Sequence, residues 1–365
     1  MRAFLFVVQW ILIGLGVAVV ALVAWPSGDP AGALAELRQR LHGVPARGYA
    51  EAVRRAAPAV VAVRAITRGD APVNPLTGDP LFRRFFGATA DAARTESSLG
   101  SGVVLDATGT VLTNFHVIEG ADQVVVSLAD GRAANARVVG TDPDTDVAVL
   151  AVELTGLPAI ELGDAAAVRV GDIVLAIGNP FGIGQTVTQG IVSATGRNRV
   201  GINTFENFIQ TDAAINVGNS GGALVDVHGA LIGLNAARAD SDGIGFAIPI
   251  TIVLDVARQI LATGSVTRGW LGIDARDLSP SLARLLGTER GIAVLGVMRE
   301  GPADRAGIRP GDAIVAIDGH DIGDSREALE RIAALRPGTA VPITGVRTGR
   351  RYEVTATAAQ RPRRP

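Results

Sequence analysis

At 365 residues the chain has room for two or three domains, and 48% hydrophobic against 19% charged residues is enough apolar material for packed cores. A net charge of −2 gives no bulk electrostatic case for nucleic acid. With no cysteine and no His-Glu-x-x-His motif, disulfides and the commonest zinc sites are excluded, and neither a metal nor a cofactor is expected.

Residues 3–25 carry no charge, and Gln9 is their only strongly polar side chain. As a helix this run would be about 35 Å long, against a bilayer core of about 30 Å. It exceeds the apolar stretch of about 7–15 residues usual in a cleaved leader. Residues 1–25 are therefore expected to be a retained transmembrane anchor, although Ala18, Ala21 and Ala24 offer a peptidase small residues. Arg2 and the terminal amine place the N-terminus in the cytoplasm and the rest of the chain outside the inner membrane. Residues 26–51 read as a linker, broken by Gly43, Pro45 and Gly48.

From 52 to 264 the pattern is β-rich. Short apolar runs at 60–66, 102–105, 123–128, 147–152, 173–177, 190–194, 230–235 and 245–248 alternate with turn residues, the spacing of an all-β barrel architecture. Residues 67–98 form a long polar insertion with an aromatic cluster, Asp79-Pro-Leu-Phe-Arg-Arg-Phe-Phe86. A helix over 250–263 closes the region, stopped by Gly264.

The chemistry concentrates in Gly218-Asn-Ser-Gly-Gly222. A serine set among glycines suits acyl transfer, with the N–H groups of Gly218 and Ser220 turned toward a developing oxyanion. Serine needs a base, and the chain has four histidines. His228 and His320 sit in turn sequences, so the elbow of α/β-hydrolases, in which the histidine follows the serine, fits poorly. The order histidine, acid, serine is supplied by His116, Asp146 and Ser220. His116 stands at the end of a strand-like run. Asp146 stands at the edge of a hydrophobic strand, while Asp142 and Asp144 read as turn formers around Pro143.

Thr113-Asn-Phe-His-Val117, Asp144-Thr-Asp-Val-Ala-Val-Leu150 and Gly218-Asn-Ser-Gly-Gly-Ala-Leu224 together resemble the catalytic blocks of HtrA/Deg serine proteases. The resemblance runs from about Tyr49 to near the C-terminus. It implies an all-β trypsin-like double β-barrel over 52–264. His116 would be the general base, Asp146 its orienting acid and Ser220 the nucleophile, with Gly218, Asn219 and Ser220 forming the oxyanion hole. An amide at Asn219 cannot make the charge pair with a new N-terminus by which many trypsin-like enzymes are activated. Ala214, Ile215 and Asn216 would approach the primary specificity pocket. Without a carboxylate at Ala214, small or medium aliphatic side chains are expected there.

Arg268-Gly-Trp-Leu-Gly-Ile273 and the block 301–319 are similar to the carboxylate-binding loop and middle of a PDZ domain. A small α+β domain is therefore expected over 265–360, with Arg268, Gly269, Trp270, Leu271, Gly272 and Ile273 binding peptide C-termini and 325–335 the groove helix. The basic tail from Arg361 reads as a solvated end. One anchor, one protease and one PDZ domain resemble the stress-sensor branch of the family. That implies a periplasmic homotrimer on the inner membrane, activated by C-termini of misfolded proteins and cleaving a membrane anti-sigma factor. Arg197 would contact the PDZ side. The alternatives are a free periplasmic quality-control protease with its leader removed, and a non-catalytic PDZ scaffold. All three take protein or peptide partners and none takes nucleic acid.

Overall fold

The structure, a computed structural model, describes residues 48–68, 95–180, 184–198, 200–216, 218–236, 243–288 and 290–362. It divides into two compact units, 1–53 and 54–365, and of the first only 48–53 are described. Among the described residues no helix is long and apolar enough to cross a membrane; the expected anchor at 1–25 lies outside them. So do most of the linker at 26–51 and most of the insertion at 67–98.

The first six strands are β1 (Val60–Arg68), β2 (Thr95–Val104), β3 (Thr110–Thr113), β4 (Gln123–Ser127), β5 (Ala133–Asp142) and β6 (Val147–Val152). They close into an antiparallel barrel in the order β1-β2-β3-β6-β5-β4. The next six close a second barrel in the order β10-β11-β12-β9-β8-β7. They are β7 (Ile173–Gly178), β8 (Thr186–Arg197), β9 (Phe208–Thr211), β10 (Ala223–Val225), β11 (Leu231–Ala236) and β12 (Gly245–Pro249). Closure removes the open edges that would otherwise invite strand pairing.

The longer strands rich in buried apolar residues match the expected runs. Shorter or more exposed ones are new. β5 alternates between exposed and half-buried positions, while β9 and β10 have only four and three residues. A second difference concerns His116. The strand before it ends at Thr113, and His116 sits on a one-turn helix α1 (Phe115–Ile118).

Helix α2 (Ile250–Thr263) packs on β5, β6 and β11, with Val253, Val256 and Ile260 buried. Burying each such side chain is worth roughly 1.5–3 kcal/mol. It ends as expected: Gly264 takes φ +77° and its N–H donates to the Ile260 carbonyl at 2.7 Å.

The C-terminal region is a small α+β domain. Strand β13 (Gly269–Trp270) pairs with β20 (Ala359–Gln360). The main sheet runs β14 (Ile273–Asp277), β15 (Ile292–Val297), β16 (Ala313–Ile317), β18 (Ala340–Arg347), β19 (Arg350–Thr357), with β17 (His320–Asp321) paired to β16. Helices α3 (Pro280–Leu286), α4 (Pro302–Arg305) and α5 (Ser325–Ala334) complete it. Leu271, Ile292, Ile314, Ile317 and Ile343 form its core.

One charge sits inside this domain. Asp312 is 1% exposed; Arg347 donates to it through Nε at 2.7 Å and Nη2 at 2.8 Å, and Tyr352 through its hydroxyl at 2.7 Å. Burial alone would raise its pKa, but the bonds from Arg347, Tyr352 and the Arg309 N–H outweigh it, and the carboxyl is held below its ordinary value. A depressed folded pKa stabilises the fold above the unfolded value, about 3.9. That contribution is lost as pH falls through the folded value. Urea midpoints followed by Trp270 fluorescence should therefore fall from pH 5 to pH 2 more steeply in wild type than in Asp312→Asn. Equal slopes would remove Asp312 from the acid response.

Candidate active site

Two loops of the first barrel bring His116 and Asp146 together. The Asp146 carboxylate accepts twice from one residue: Oδ2 from His116 Nδ1 at 2.7 Å, Oδ1 from the His116 backbone N–H at 2.9 Å. The Asp146 carbonyl accepts from Asn114 Nδ2 at 2.9 Å and from the Phe115 N–H at 3.2 Å. Asp146 itself takes φ +59°, a left-handed conformation that aspartate and asparagine tolerate better than most residues. The pairing fixes the tautomer. A proton on Nδ1 faces the carboxylate, so Nε2 presents a lone pair. The Asp146 side chain is 8% exposed and that of His116 41%, so the acid is walled in while the imidazole is partly open to solvent.

Ser220 comes from the second barrel and is buried. Its carbonyl accepts from the Ser101 N–H of β2 at 2.7 Å. A Cβ placed on neighbouring Gly100 would strike both the Ser220 carbonyl and the Val117 side chain, so Ser220 and the residue after His116 converge on one point. The turn around Ser220 requires glycine at both flanks. Gly218 has φ +100°, and a Cβ there would meet Pro180. Gly221 has φ +77°, and a Cβ there would meet the Ser101 carbonyl and Thr113 Oγ1. The Asn219 N–H donates to the Asn216 carbonyl at 3.0 Å. Asn219 is buried and packs on Gly178.

The three residues expected at the specificity pocket part ways. Ala214 and Asn216 are exposed, and the Ala214 carbonyl accepts from Thr188 Oγ1 at 2.8 Å. Ile215 instead turns inward, into the core cluster of the second barrel with Val174, Val192 and Ile209. Its alternation with two exposed neighbours is the signal that the sequence carried.

In the C-terminal domain the segment 269–273 lines a cavity of about 320 Å³ with Ala328 and Ile332 of α5. Strand β14 stands at the edge of the sheet beside it. A backbone edge next to an apolar slot is the arrangement that accepts a peptide as an added strand. Asn203 and Glu206 of the protease domain line the same cavity. The Glu206 carboxylate holds that loop together, accepting from the N–H groups of Val200 at 2.6 Å, Ile202 at 2.7 Å and Asn203 at 3.1 Å.

Arg268 stands apart from the rest of its predicted group. It is not among the residues lining the cavity, and its guanidinium binds Asp142 in a two-pronged pair at 2.5 and 2.6 Å. Arg361, expected as a solvated tail residue, binds Asp144 at 2.9 Å. Both guanidinium groups lie over the Phe205 ring, at 4.5 Å and 5.7 Å from its centre. Asp142 and Asp144 do form the turn before Asp146, and each also grips an arginine of the C-terminal domain. Phe205 is tied to the same turn, its N–H donating to the Asp144 carbonyl at 3.0 Å. Arg197, expected to reach the PDZ side, donates to Gln210 Oε1 on the adjacent strand at 2.8 Å. Its neighbour Asn198 is the one that lines the cavity.

Twin antiparallel barrels, an Asp–His pair from one and a serine turn from the other define a trypsin-like serine endopeptidase, here joined to a peptide-binding module. The family Trypsin-like peptidase domain matches residues 100–234, and the PDZ domain family matches 269–357. Serine endoprotease DegS of Escherichia coli (strain K12) is 38% identical over 364 residues, covering 96% of this chain and 97% of that protein. A probable periplasmic serine endoprotease DegP-like of Pseudomonas putida (strain W619) is 39% identical, covering 85% of this chain and 69% of that one. The solved structure of HtrA-type protease AlgW with decapeptide is 50% identical, with a TM-score of 0.76, over 87% of this chain and 100% of that one. The chain belongs to the HtrA family of serine proteases, in its DegS-type form with a single PDZ domain.

Proposed function

We propose that this chain is a periplasmic endopeptidase, anchored in the inner membrane as a homotrimer, that senses misfolded proteins. Their C-termini bind the PDZ groove, and the activated enzyme cleaves a membrane anti-sigma factor. Ser220 attacks the scissile carbonyl, His116 takes its proton, Asp146 orients and stabilises the imidazolium, and the N–H groups of Gly218 and Ser220 receive the oxyanion. The observation that carries the sensing role is the joint. The turn that presents Asp146 is gripped by Arg268 and Arg361, the residues bracketing the PDZ domain.

A peptide changes activity only by favouring one arrangement of the loops over another. Arg361 lines the PDZ cavity and stacks on Phe205, which lies between the lining residues Thr204 and Glu206, so a ligand in the cavity would meet one of the two arginines of the joint. The relative AlgW was solved with a decapeptide, which fits such a groove.

The test is turnover by the full chain with a peptide of free, hydrophobic C-terminus, against the same peptide amidated. The free form should raise turnover by about 5–150-fold, the range of ordinary allosteric coupling. Asp142→Ala should raise the basal rate and shrink that response, because the PDZ domain loses its hold on the turn. Equal responses to both peptides, or an unchanged basal rate in the variant, would end the sensing reading. The rival, a free quality-control protease, draws support from the Pseudomonas putida relative. N-terminal sequencing of the mature protein separates the two.

A further inference from the structure

We propose that Ser101 is a positioning residue for the oxyanion hole, acting through its hydroxyl on the Gly218–Asn219 peptide. This rests on the reading of Gly218 and Ser220 as oxyanion donors. Ser101 belongs to β2 of the first barrel and is fully buried, yet all three of its polar groups serve the site. Its hydroxyl donates to the Gly218 carbonyl at 2.6 Å and accepts from the Asn179 N–H at 2.8 Å. Its N–H donates to the Ser220 carbonyl at 2.7 Å, and its carbonyl accepts from Thr113 Oγ1 at 2.7 Å. The flanking glycines make the approach possible. A side chain at Gly100 would strike Val117 and the Ser220 carbonyl, and one at Gly102 would strike Val63 and Val111.

The Gly218 carbonyl and the Asn219 N–H belong to one peptide plane. Ser101 holds its oxygen edge, and the Asn216 carbonyl holds its N–H edge at 3.0 Å. With that plane fixed, the N–H groups of Gly218 and Ser220 on either side can aim only through the torsions of Gly218 and Asn219. Gly218 has no Cβ to restrain it, so without the hydroxyl the turn loses its main brace. Donors act on a transition state only while they are preorganised toward the oxyanion. The brace comes from the opposite barrel, so it also ties the aim of the donors to the seating of one barrel on the other.

The experiment is Ser101→Ala in the full chain, with three readouts. These are kcat and KM on a peptide substrate, Ki for a peptidyl trifluoromethyl ketone whose hemiketal oxygen occupies the oxyanion position, and Ki for a product-like peptide acid. Losing an oxyanion donor outright costs about 10²–10³ in kcat. Misaiming should cost part of that, about 10–100-fold in kcat, with the ketone Ki rising by a similar factor. KM and the peptide-acid Ki should stay within about twofold, a split that a merely structural role would not produce. Ser101→Thr, which keeps the hydroxyl, should recover kcat. A folded alanine variant with wild-type kcat, or one with reduced kcat but unchanged ketone Ki, overturns the proposal. If the alanine variant does not fold, the same readouts on Ser101→Cys, whose thiol keeps the volume but donates weakly, decide it in the same way. If the trifluoromethyl ketone binds wild type no more tightly than the peptide acid, the underlying reading of Gly218 and Ser220 as oxyanion donors fails instead.

Discussion

Ser220→Ala is expected to lower turnover by on the order of 10⁶-fold, the scale at which a serine protease loses its nucleophile. The methyl group fits wherever the hydroxyl did, and the glycines that shape the turn are untouched, so the fold should be retained. What survives is the weak catalysis of a pocket that binds substrate and offers N–H groups to the carbonyl, about 10³–10⁴ over water. Peptide binding at the PDZ groove should be unaffected, since 269–273 and α5 lie in a different domain. The measurements are single-turnover hydrolysis of a peptide substrate and titration of a C-terminal peptide on the same preparation. Wild-type hydrolysis with normal peptide binding would leave a protein whose chemistry resides elsewhere. Loss of both would point to misfolding, which melting of the variant resolves.

The Asp146–His116 pair and the serine turn stand in stretches whose local sequence already carries their chemistry. The turn around Ser220 needs glycine at 218 and 221, where both positions take positive φ. The barrels were legible where strands are buried through, as in β6 and β11. They were not legible in β5, whose side chains are half in solvent, or in β10, three residues long. Composition carries no periodic signal in such segments.

The residues that escaped sequence reading are those whose partners lie far along the chain. Asp142 meets Arg268 across 126 residues, Asp144 meets Arg361 across 217, and Ser101 meets Gly218 across 117. In isolation an aspartate beside Pro143 is a turn former, an arginine near a chain end is a solvated charge, and a serine between glycines is a loop residue. Only the fold turns them into a joint and a brace. Arg197 shows the converse. A position carried over from the family's pattern bonds within its own barrel here, while Phe205 and Glu206, eight and nine residues further on, do the contacting.

Asp146→Asn should lower kcat by about 10⁴ with KM little changed, the scale seen when a triad acid becomes an amide. The structure gives a specific reason why asparagine cannot substitute. Asp146 uses both oxygens as acceptors, one for Nδ1 of His116 and one for the His116 backbone N–H. The amide has one oxygen. If it faces the backbone N–H, the NH₂ group faces Nδ1 and forces the proton onto Nε2, which then cannot take the proton of Ser220. If it faces Nδ1, the NH₂ group meets a backbone donor and a buried pair of N–H groups is left opposed, which costs roughly 1–3 kcal/mol. The first arrangement satisfies more groups and is the inactive one. The backbone is no obstacle, because φ +59° at this position suits asparagine as well as aspartate. The variant should therefore melt near wild type and bind peptide normally. ¹⁵N spectra of the His116 ring should show the proton moved from Nδ1 to Nε2. A kcat within tenfold of wild type, or a ring still protonated on Nδ1 in a variant that has lost activity, would mean that the acid does not act by setting the tautomer.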